Sequence, residues 1–125
     1  MAALTQPHDP KLATVRPLVL PEIVSLPTEL DIATNKAIGE QLIAASHPGG
    51  CVVIADMSRT EYCDSSAIRS LTFVSSHMAA IGGELRIVLT SQAIWQLLRL
   101  FGADQMLRVY PDMQSALAGA PQLEQ

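Results

Sequence analysis

The chain has 125 residues, 49% of them hydrophobic, and a mean hydropathy of +0.27, which fits one folded domain rather than a disordered segment. A formal charge of −4 and a pI near 5.2 argue against nucleic acid and acidic membranes as partners, because the 8 basic residues are scattered rather than clustered. No signal-peptide core or membrane-length apolar run is found in the sequence, so we expect a cytoplasmic protein without a membrane span.

The first part of the chain predicts an arm followed by two strands. Residues 1–12 contain two prolines and no periodic pattern, which indicates a flexible arm. Thr14–Leu20 and Glu22–Leu26 have the composition of short strands, and Pro21 marks the turn between them.

A helix is predicted to begin after Pro27 and to end near Ser46. Thr28 can cap it, and Glu29 and Asp31 would then lie in its first turn, where the helix dipole favours negative charge. The apolar residues at helical spacing are Ile38, Leu42 and Ala45. The sequence His-Pro-Gly-Gly at 47–50 is a stop signal.

The middle of the chain predicts a strand, a long helix and a second strand. The run CVVIAD at 51–56 is continuous and β-branched, as expected of a strand that is covered on both faces. The helix extends from about Ser66 to Ile81, and Gly82-Gly83 ends it. Its apolar stripe consists of Ala67, Leu71, Val74, Met78 and Ile81. The run ELRIVL at 84–89 is the next strand.

The last part predicts a helix, a strand and a helix. Ser91 caps the first of these helices and Gly102 stops it. Its predicted inward side consists of Ile94, Leu97, Leu98 and Phe101, and we expect Trp95 to pack as well. A strand at Leu107–Tyr110 and a helix at Asp112–Leu117 follow.

The element order β-β-α-β-α-β-α-β-α predicts the fold class. Strands that alternate with helices favour a sheet with parallel pairings and helices packed against it. We therefore predict a single small α/β domain with a mixed, mostly parallel sheet and about four helices.

The segment YCDSSAIRSL at 62–71 is the main candidate for a functional site. Asp64 or Ser65 can cap the long helix alone, which would leave the Ser66 hydroxyl free. Capping alone is the simpler interpretation of an Asp-Ser-Ser sequence at a helix start. A second interpretation is a functional site, because functional groups gather at the carboxyl ends of parallel strands.

Ser70, Phe73 and His77 follow Ser66 at spacings that place all four residues on one helix face, away from the apolar stripe. A phenylalanine on that face suits a partner surface, and it is equally compatible with a singly exposed apolar residue.

Other polar groups do not form a recognisable catalytic or metal site in the sequence. We expect Asp56 to be a strand-end acid and Asp64 a cap rather than a metal pair, and the three histidines lack ligand spacing. His77 lies three turns from Ser66, too far for a Ser-His pair on one straight helix. Cys51 and Cys63 are expected to be buried free thiols in a reducing compartment, and we expect no cofactor.

The sequence VVIADMSRTEYCDSSAIRSL resembles the signature segment of the anti-sigma factor antagonists, the stand-alone STAS domains. The matching steps are Ala55-Asp56-Met57-Ser58 at a strand end, Asp64-Ser65-Ser66 at a helix start, Thr28–Thr34 before the first helix, and Glu84–Val88. Ala67 and Pro27 stand where the family usually has glycine. On this resemblance we assign residues 13–119 to a STAS domain, 1–12 to an arm and 120–125 to a C-terminal tail.

The resemblance implies a non-enzymatic partner switch in bacterial transcription regulation. Ser66 would be phosphorylated by a partner anti-sigma factor that is itself a serine kinase, and a serine phosphatase would reverse the mark. The unphosphorylated form would bind the kinase and free a sigma factor. The implied switch loop is Asp64, Ser65, Ser66 and Ala67. The expected partner surface consists of Asp31, Ser58, Arg69, Ser70 and Phe73.

Two alternatives remain open at the level of sequence. One is a STAS interaction module of a signalling or transport complex in which Ser66 is only a helix residue. The other is a small enzyme that uses Ser66 or Cys63 as a nucleophile. The sequence does not decide between a monomer and a homodimer, and it names neither the kinase nor the sigma factor.

Overall fold

The computed structural model describes residues 20–47, 50–119 and 123. The predicted arm, most of the strand at Thr14–Leu20, His8, and the tail apart from Leu123 lie outside the described residues. The elements in chain order are β1 (Glu22–Ser25), β2 (Glu29–Leu30), α1 (Asn35–Ala44), β3 (Val52–Met57), β4 (Tyr62–Cys63), α2 (Ser65–Ala80), β5 (Glu84–Leu89), α3 (Gln92–Leu100), a 3-10 turn (Ala103–Gln105), β6 (Arg108–Tyr110) and α4 (Met113–Ala118).

Within the described residues, four strands form a sheet in the order β1-β3-β5-β6, and every adjacent pair is parallel. Side chains alternate across it, so that Val53, Ala55 and Met57 enter the main core while Ile54 enters a second cluster on the opposite face. This two-sided burial explains why the sequence of β3 is continuously apolar. The predicted α/β fold with a mostly parallel sheet is confirmed.

Helices cover both faces of the sheet. Residues of α1, α2 and α3 join the main core, whereas Ala116 of α4 packs with Ile54, Val88 and Tyr110 on the other face. Burying both faces removes most of the strand surface from water, which is the main source of stability for such a sheet.

Helix α2 shows the predicted stripe with one change. Ala67, Leu71, Val74 and Met78 are all buried, but Ile81 is only partly buried because it follows the last helical residue. Ile68 is buried as well, although it was not assigned to the stripe. Gly82, at φ +84°, ends the helix as predicted, in the left-handed conformation that glycine tolerates.

The predicted start of the first helix at Thr28 is wrong. Glu29–Leu30 is instead extended and pairs in parallel with Tyr62–Cys63, a short strand that the sequence analysis missed. The N–H groups of Glu61 and Tyr62 also donate to the Thr28 carbonyl, which holds this segment away from helical geometry. Helix α1 begins at Asn35, six residues after the first position of a helix capped by Thr28, and ends at Ala44. Neither Glu29 nor Asp31 therefore lies in its first turn.

Helix α3 has the predicted cap, since the Ile94 N–H donates to Ser91 Oγ at 3.2 Å. Ile94, Trp95 and Leu98 are buried, but Phe101 is 55% exposed and was wrongly assigned to the inward side. Phe101 is the C-cap residue, and Gly102 at φ +73° turns the chain into the 3-10 segment, so Phe101 no longer follows the helical stripe. Asp112 caps α4 rather than lying inside it.

Candidate functional site

The start of α2 is built around the carboxylate of Asp64. Asp64 is extended, at φ −99° and ψ 178°, and its Oδ1 accepts the Ala67 N–H at 3.0 Å. It is therefore the N-cap, and of the two caps that the sequence offered, Asp64 is used rather than Ser65. The Asp64 N–H donates to the Leu30 carbonyl at 3.2 Å, so the cap is also tied to strand β2.

The Ser66 hydroxyl lies between two side chains. Its O–H donates to Asp64 Oδ1 at 2.6 Å, and its Oγ accepts a hydrogen bond from Asn35 Nδ2 at 2.8 Å. The expectation of a free hydroxyl is wrong, because the carboxylate that caps the helix also accepts a hydrogen bond from the Ser66 hydroxyl. Ser66 is half-buried, outside the core, and its bonds go to side chains rather than to its own backbone.

The environment of Asp64 stabilises its charged form. The hydrogen bond from the Ser66 hydroxyl, followed by the Ala67 N–H, lowers the pKa of the Asp64 carboxyl. The N–H groups of Ile32 and Ser66 lower this pKa further, whereas desolvation raises it. An ionised carboxylate with several donors orients the Ser66 hydroxyl, but it is a weak base at neutral pH.

Asn35 is the residue that the sequence analysis missed. It is the first residue of α1, and 31 positions separate it from Ser66. No local pattern around Thr34-Asn35 signals this contact, because it depends on how α1 packs against α2. Gly39 allows the close approach, since a Cβ there would lie 3.2 Å from Ser70 Oγ.

The four residues predicted to form the switch loop have different environments. Ser65 is exposed and Ser66 is half-buried, but Ala67 is fully buried in the main core. The methyl group of Ala67 therefore packs inward, where it does not occupy the space above the switch loop.

Three residues of the predicted partner surface, Arg69, Ser70 and Phe73, lie within one turn of α2. Ser70 faces Gly39 of α1, whereas Phe73 is 65% exposed and stacks on His77 with ring centroids 6.4 Å apart. Arg69 is exposed and lines a cleft with Phe101 and Met106, which follow α3 in the chain. Arg69 and Phe73 are four residues apart on one helix and therefore lie on the same exposed face.

Asp31 and Ser58 lie in loops that follow β2 and β3. Asp31 Oδ1 accepts the N–H groups of Ala33 and Thr34 at 3.0 and 3.2 Å, which shapes the turn into α1. Ser58 is exposed, its N–H donates to Asp56 Oδ1, and its carbonyl accepts a hydrogen bond from Thr90. Asp56 is the strand-end acid that the sequence predicted.

Cys63, one of the two candidate nucleophiles, lies in a buried environment. Burial, with a smaller contribution from the Asp64 charge, raises the pKa of the Cys63 thiol to about 11, so it is protonated at neutral pH. Cys51 and Cys63 are both buried and free, as predicted. No group of three or more His, Cys, Asp or Glu side chains with metal-binding geometry occurs in residues 20–47, 50–119 and 123.

The sequence model of the STAS domain matches residues 12–116, which is most of the chain. The chain belongs to the STAS domain family. STAS domains are typically non-enzymatic interaction domains. No curated protein matches this STAS domain in sequence at a significant level.

Two solved structures share the fold of this STAS domain. The NMR structure of the protein TM1081 has a TM-score of 0.62 at 17% identity, over 77% of this chain and 78% of that chain. The structure of murine Solute Carrier 26 family member A9, an anion transporter in the inward-facing state, has a TM-score of 0.67 at 20% identity. That likeness covers 88% of this chain but only 19% of the transporter. At these identities both likenesses show the fold alone.

In the part of this STAS domain that the structure describes, no helix has the length and apolar character needed to cross a membrane.

Proposed function

We propose that this STAS domain is an anti-sigma factor antagonist whose partner binding is switched by phosphorylation of Ser66. The observation that carries the proposal is the position of Ser66 Oγ, which is half-buried at the start of α2 and oriented by Asp64 and Asn35. The partner is a serine kinase that acts as an anti-sigma factor, and a serine phosphatase reverses the modification.

A phosphate on Ser66 would change both hydrogen bonds of its hydroxyl group. Esterification removes the hydroxyl proton, so the bond from Ser66 to Asp64 is lost and the phosphate faces the ionised Asp64 carboxylate. The phosphate adds about −1.5 to −2 charges next to a group whose pKa is already lowered. The Asn35 amide remains as a donor, and the first turn of α2 tolerates an anion.

The expected consequence is loss of the complex without loss of the fold. The added charge and bulk at a packed interface would weaken binding. A loss of about 3–4 kcal/mol of binding free energy corresponds to an affinity that is several hundred times lower. Ala67 supports the proposal, because its side chain is buried and its departure from the usual glycine is accommodated by the core.

The test is a capture experiment in the source organism followed by phosphorylation. Wild type and Ser66→Ala should retain a kinase that Ser66→Asp releases, and the captured kinase with ATP should phosphorylate wild type but not Ser66→Ala. Ser76→Ala is the matched control, because Ser76 is an exposed serine of the same helix outside the switch loop, and this variant should still be phosphorylated. Phosphorylation of Ser66→Ala to the wild-type level would sink the proposal.

A second candidate is an interaction module that is never phosphorylated. It is favoured by the two hydrogen bonds of Ser66, which join α1 to α2 and give the residue a structural role without modification. In that case Ser66→Ala should lower stability, and no kinase from the source organism should modify the domain.

A further inference from the structure

A cleft between α2 and the end of α3 exposes two large apolar side chains. Ile68 and Ala103 are buried at its floor, while Phe101 and Met106 form its walls and are 55% and 60% exposed. Its volume is about 260 Å³. Phe101 reaches this position because α3 ends there and Gly102 redirects the chain. We call this feature the α2–α3 cleft.

The α2–α3 cleft is lined by three polar side chains, of which Thr72 donates its hydroxyl hydrogen bond to the Arg69 carbonyl at 2.8 Å. The other two are donors without a partner among the described residues. The Ser65 hydroxyl and the Arg69 guanidinium make no hydrogen bond or ion pair with any residue in 20–47, 50–119 and 123. The rim also has no Asp or Glu among the described residues that line it, although the chain as a whole carries −4. The cleft is therefore complementary to an apolar group next to a carboxylate.

We infer that the α2–α3 cleft binds one large apolar side chain of a partner polypeptide, with a neighbouring Asp or Glu of that partner paired to Arg69. This inference rests on the proposed function, because it identifies a contact of the same partner. Ser65 lines the cleft and Ser66 follows it in the chain, so a partner that covers the start of α2 reaches both.

The dimensions of the cleft favour a side chain over a cofactor. Sites for drug-sized ligands occupy about 300–1,000 Å³ and enclose most of the ligand, whereas this cleft is smaller and open at its rim. An apolar anchor surrounded by a polar rim is the arrangement of a protein–protein contact.

The test is selection of a displayed library of random peptides on the purified full chain. Enriched peptides should carry a large apolar residue with Asp or Glu close by. Their affinity should fall by at least about tenfold for Phe101→Ala and for Arg69→Glu. Arg69→Glu should regain binding to a peptide whose acid is replaced by lysine.

Matched controls on α3 separate the cleft from general surface effects. Leu100→Ala removes a side chain that is 78% exposed and Arg99→Glu reverses an exposed charge, and neither residue lines the cleft, so both variants should bind like wild type. Thermal unfolding of each variant checks that the fold is intact.

Three outcomes would overturn the inference: no enriched peptides, enriched peptides without acidic residues, or peptides that bind the Phe101→Ala and Arg69→Glu variants as tightly as the wild type. Binding of decanoate in the cleft in place of peptides would also overturn it. Peptide binding does not depend on phosphorylation. If no peptide binds the cleft but the captured kinase phosphorylates Ser66, the inference fails and the proposed function stands. If peptides bind as expected but Ser66 is not phosphorylated, the cleft stands and the phosphorylation switch fails.

Discussion

The starts of α2 and α4 use the same local device in different surroundings. Both helices have an extended aspartate as N-cap, Asp64 and Asp112, and in both the pKa of the cap is lowered by hydrogen bonds that include a serine of the first turn. In α4 the bonds that lower this pKa come from Ser115 alone, whose N–H lies 2.7 Å from Asp112 Oδ1.

At the start of α2 the bonds extend to other elements. Ile32, in the loop before α1, donates to the Asp64 carboxylate, Asp64 donates to Leu30, and Asn35 of α1 donates to Ser66. The comparison teaches that a cap motif in the sequence does not reveal whether it serves one helix or joins several. Helix α4 therefore serves as an internal control for α2.

The largest expected difference concerns partner binding. Ser66→Asp should weaken the complex with the captured kinase by about several-hundred-fold, because the charge lies beside Asp64 at the proposed interface. Ser115→Asp adds the same charge to the first turn of α4, on the opposite face of the sheet, and should leave binding unchanged. Titration calorimetry with the kinase measures the affinity of both variants. Equal weakening by the two variants would show that the effect of the charge is not specific to the start of α2.

The next difference concerns stability to denaturant. Asp64→Ala should lower the free energy of unfolding more than Asp112→Ala, because it removes the acceptor of donors in two segments, the first turn of α2 and the loop at Ile32, rather than of one serine. Urea unfolding of both variants makes the measurement. A larger loss for Asp112→Ala would mean that the contacts between α1 and α2 contribute little.

The coupling between helices can be isolated by a double-mutant cycle. Asn35→Ala and Ser66→Ala should be non-additive by about 1 kcal/mol, the usual value of a side-chain hydrogen bond. The cycle is measured by denaturant unfolding of the two single variants and the double variant. Additive losses would indicate that the bond between Asn35 and Ser66 is not formed in solution.

The pH dependence of stability should distinguish the same two carboxylates. Because the folded-state pKa of each is depressed, its stabilising contribution is present above the unfolded pKa and is lost as pH falls through the folded value. Stability of the wild type should therefore decline from about pH 5 to about pH 2. Asp64→Asn should flatten this decline more than Asp112→Asn, as measured by urea unfolding at each pH.

The smallest expected effect concerns exposed apolar residues on the two helices. Phe73 is 65% and Leu117 46% exposed, so alanine at either position should change stability by less than about 0.5 kcal/mol. Phe73→Ala should nevertheless weaken kinase binding, whereas Leu117→Ala should not. A large loss of stability with intact binding would show that Phe73 serves the fold rather than the partner.

Regular features of the chain could be predicted from local sequence. The continuous apolar runs gave β3 and β5 to within one residue, and the stripe from Ala67 to Met78 identified the buried side of α2. Ser91 and the glycine after α2 marked a helix start and a helix end. These features are local, because each depends on periodicity or on a backbone preference within a few residues.

Where the prediction failed, contacts between distant segments decided the structure. Glu29–Leu30 carries helix-start residues but pairs with Tyr62–Cys63, because backbone bonds to another segment outweigh a capping preference. The exposure of Phe101 has a local cause instead, because Phe101 is the C-cap residue of α3 and Gly102 redirects the chain directly after it.

The residue pattern and the family resemblance were enough to predict the STAS fold, the buried stripe of α2 and the place of Ser66 at the start of a helix. The contacts of Ser66 could not be predicted in this way, because Asn35 lies 31 residues away in the chain and reaches Ser66 through the packing of α1 on α2. The physical reason is that periodicity reports which side of an element leaves water, whereas the partner of a polar group depends on how the elements are assembled.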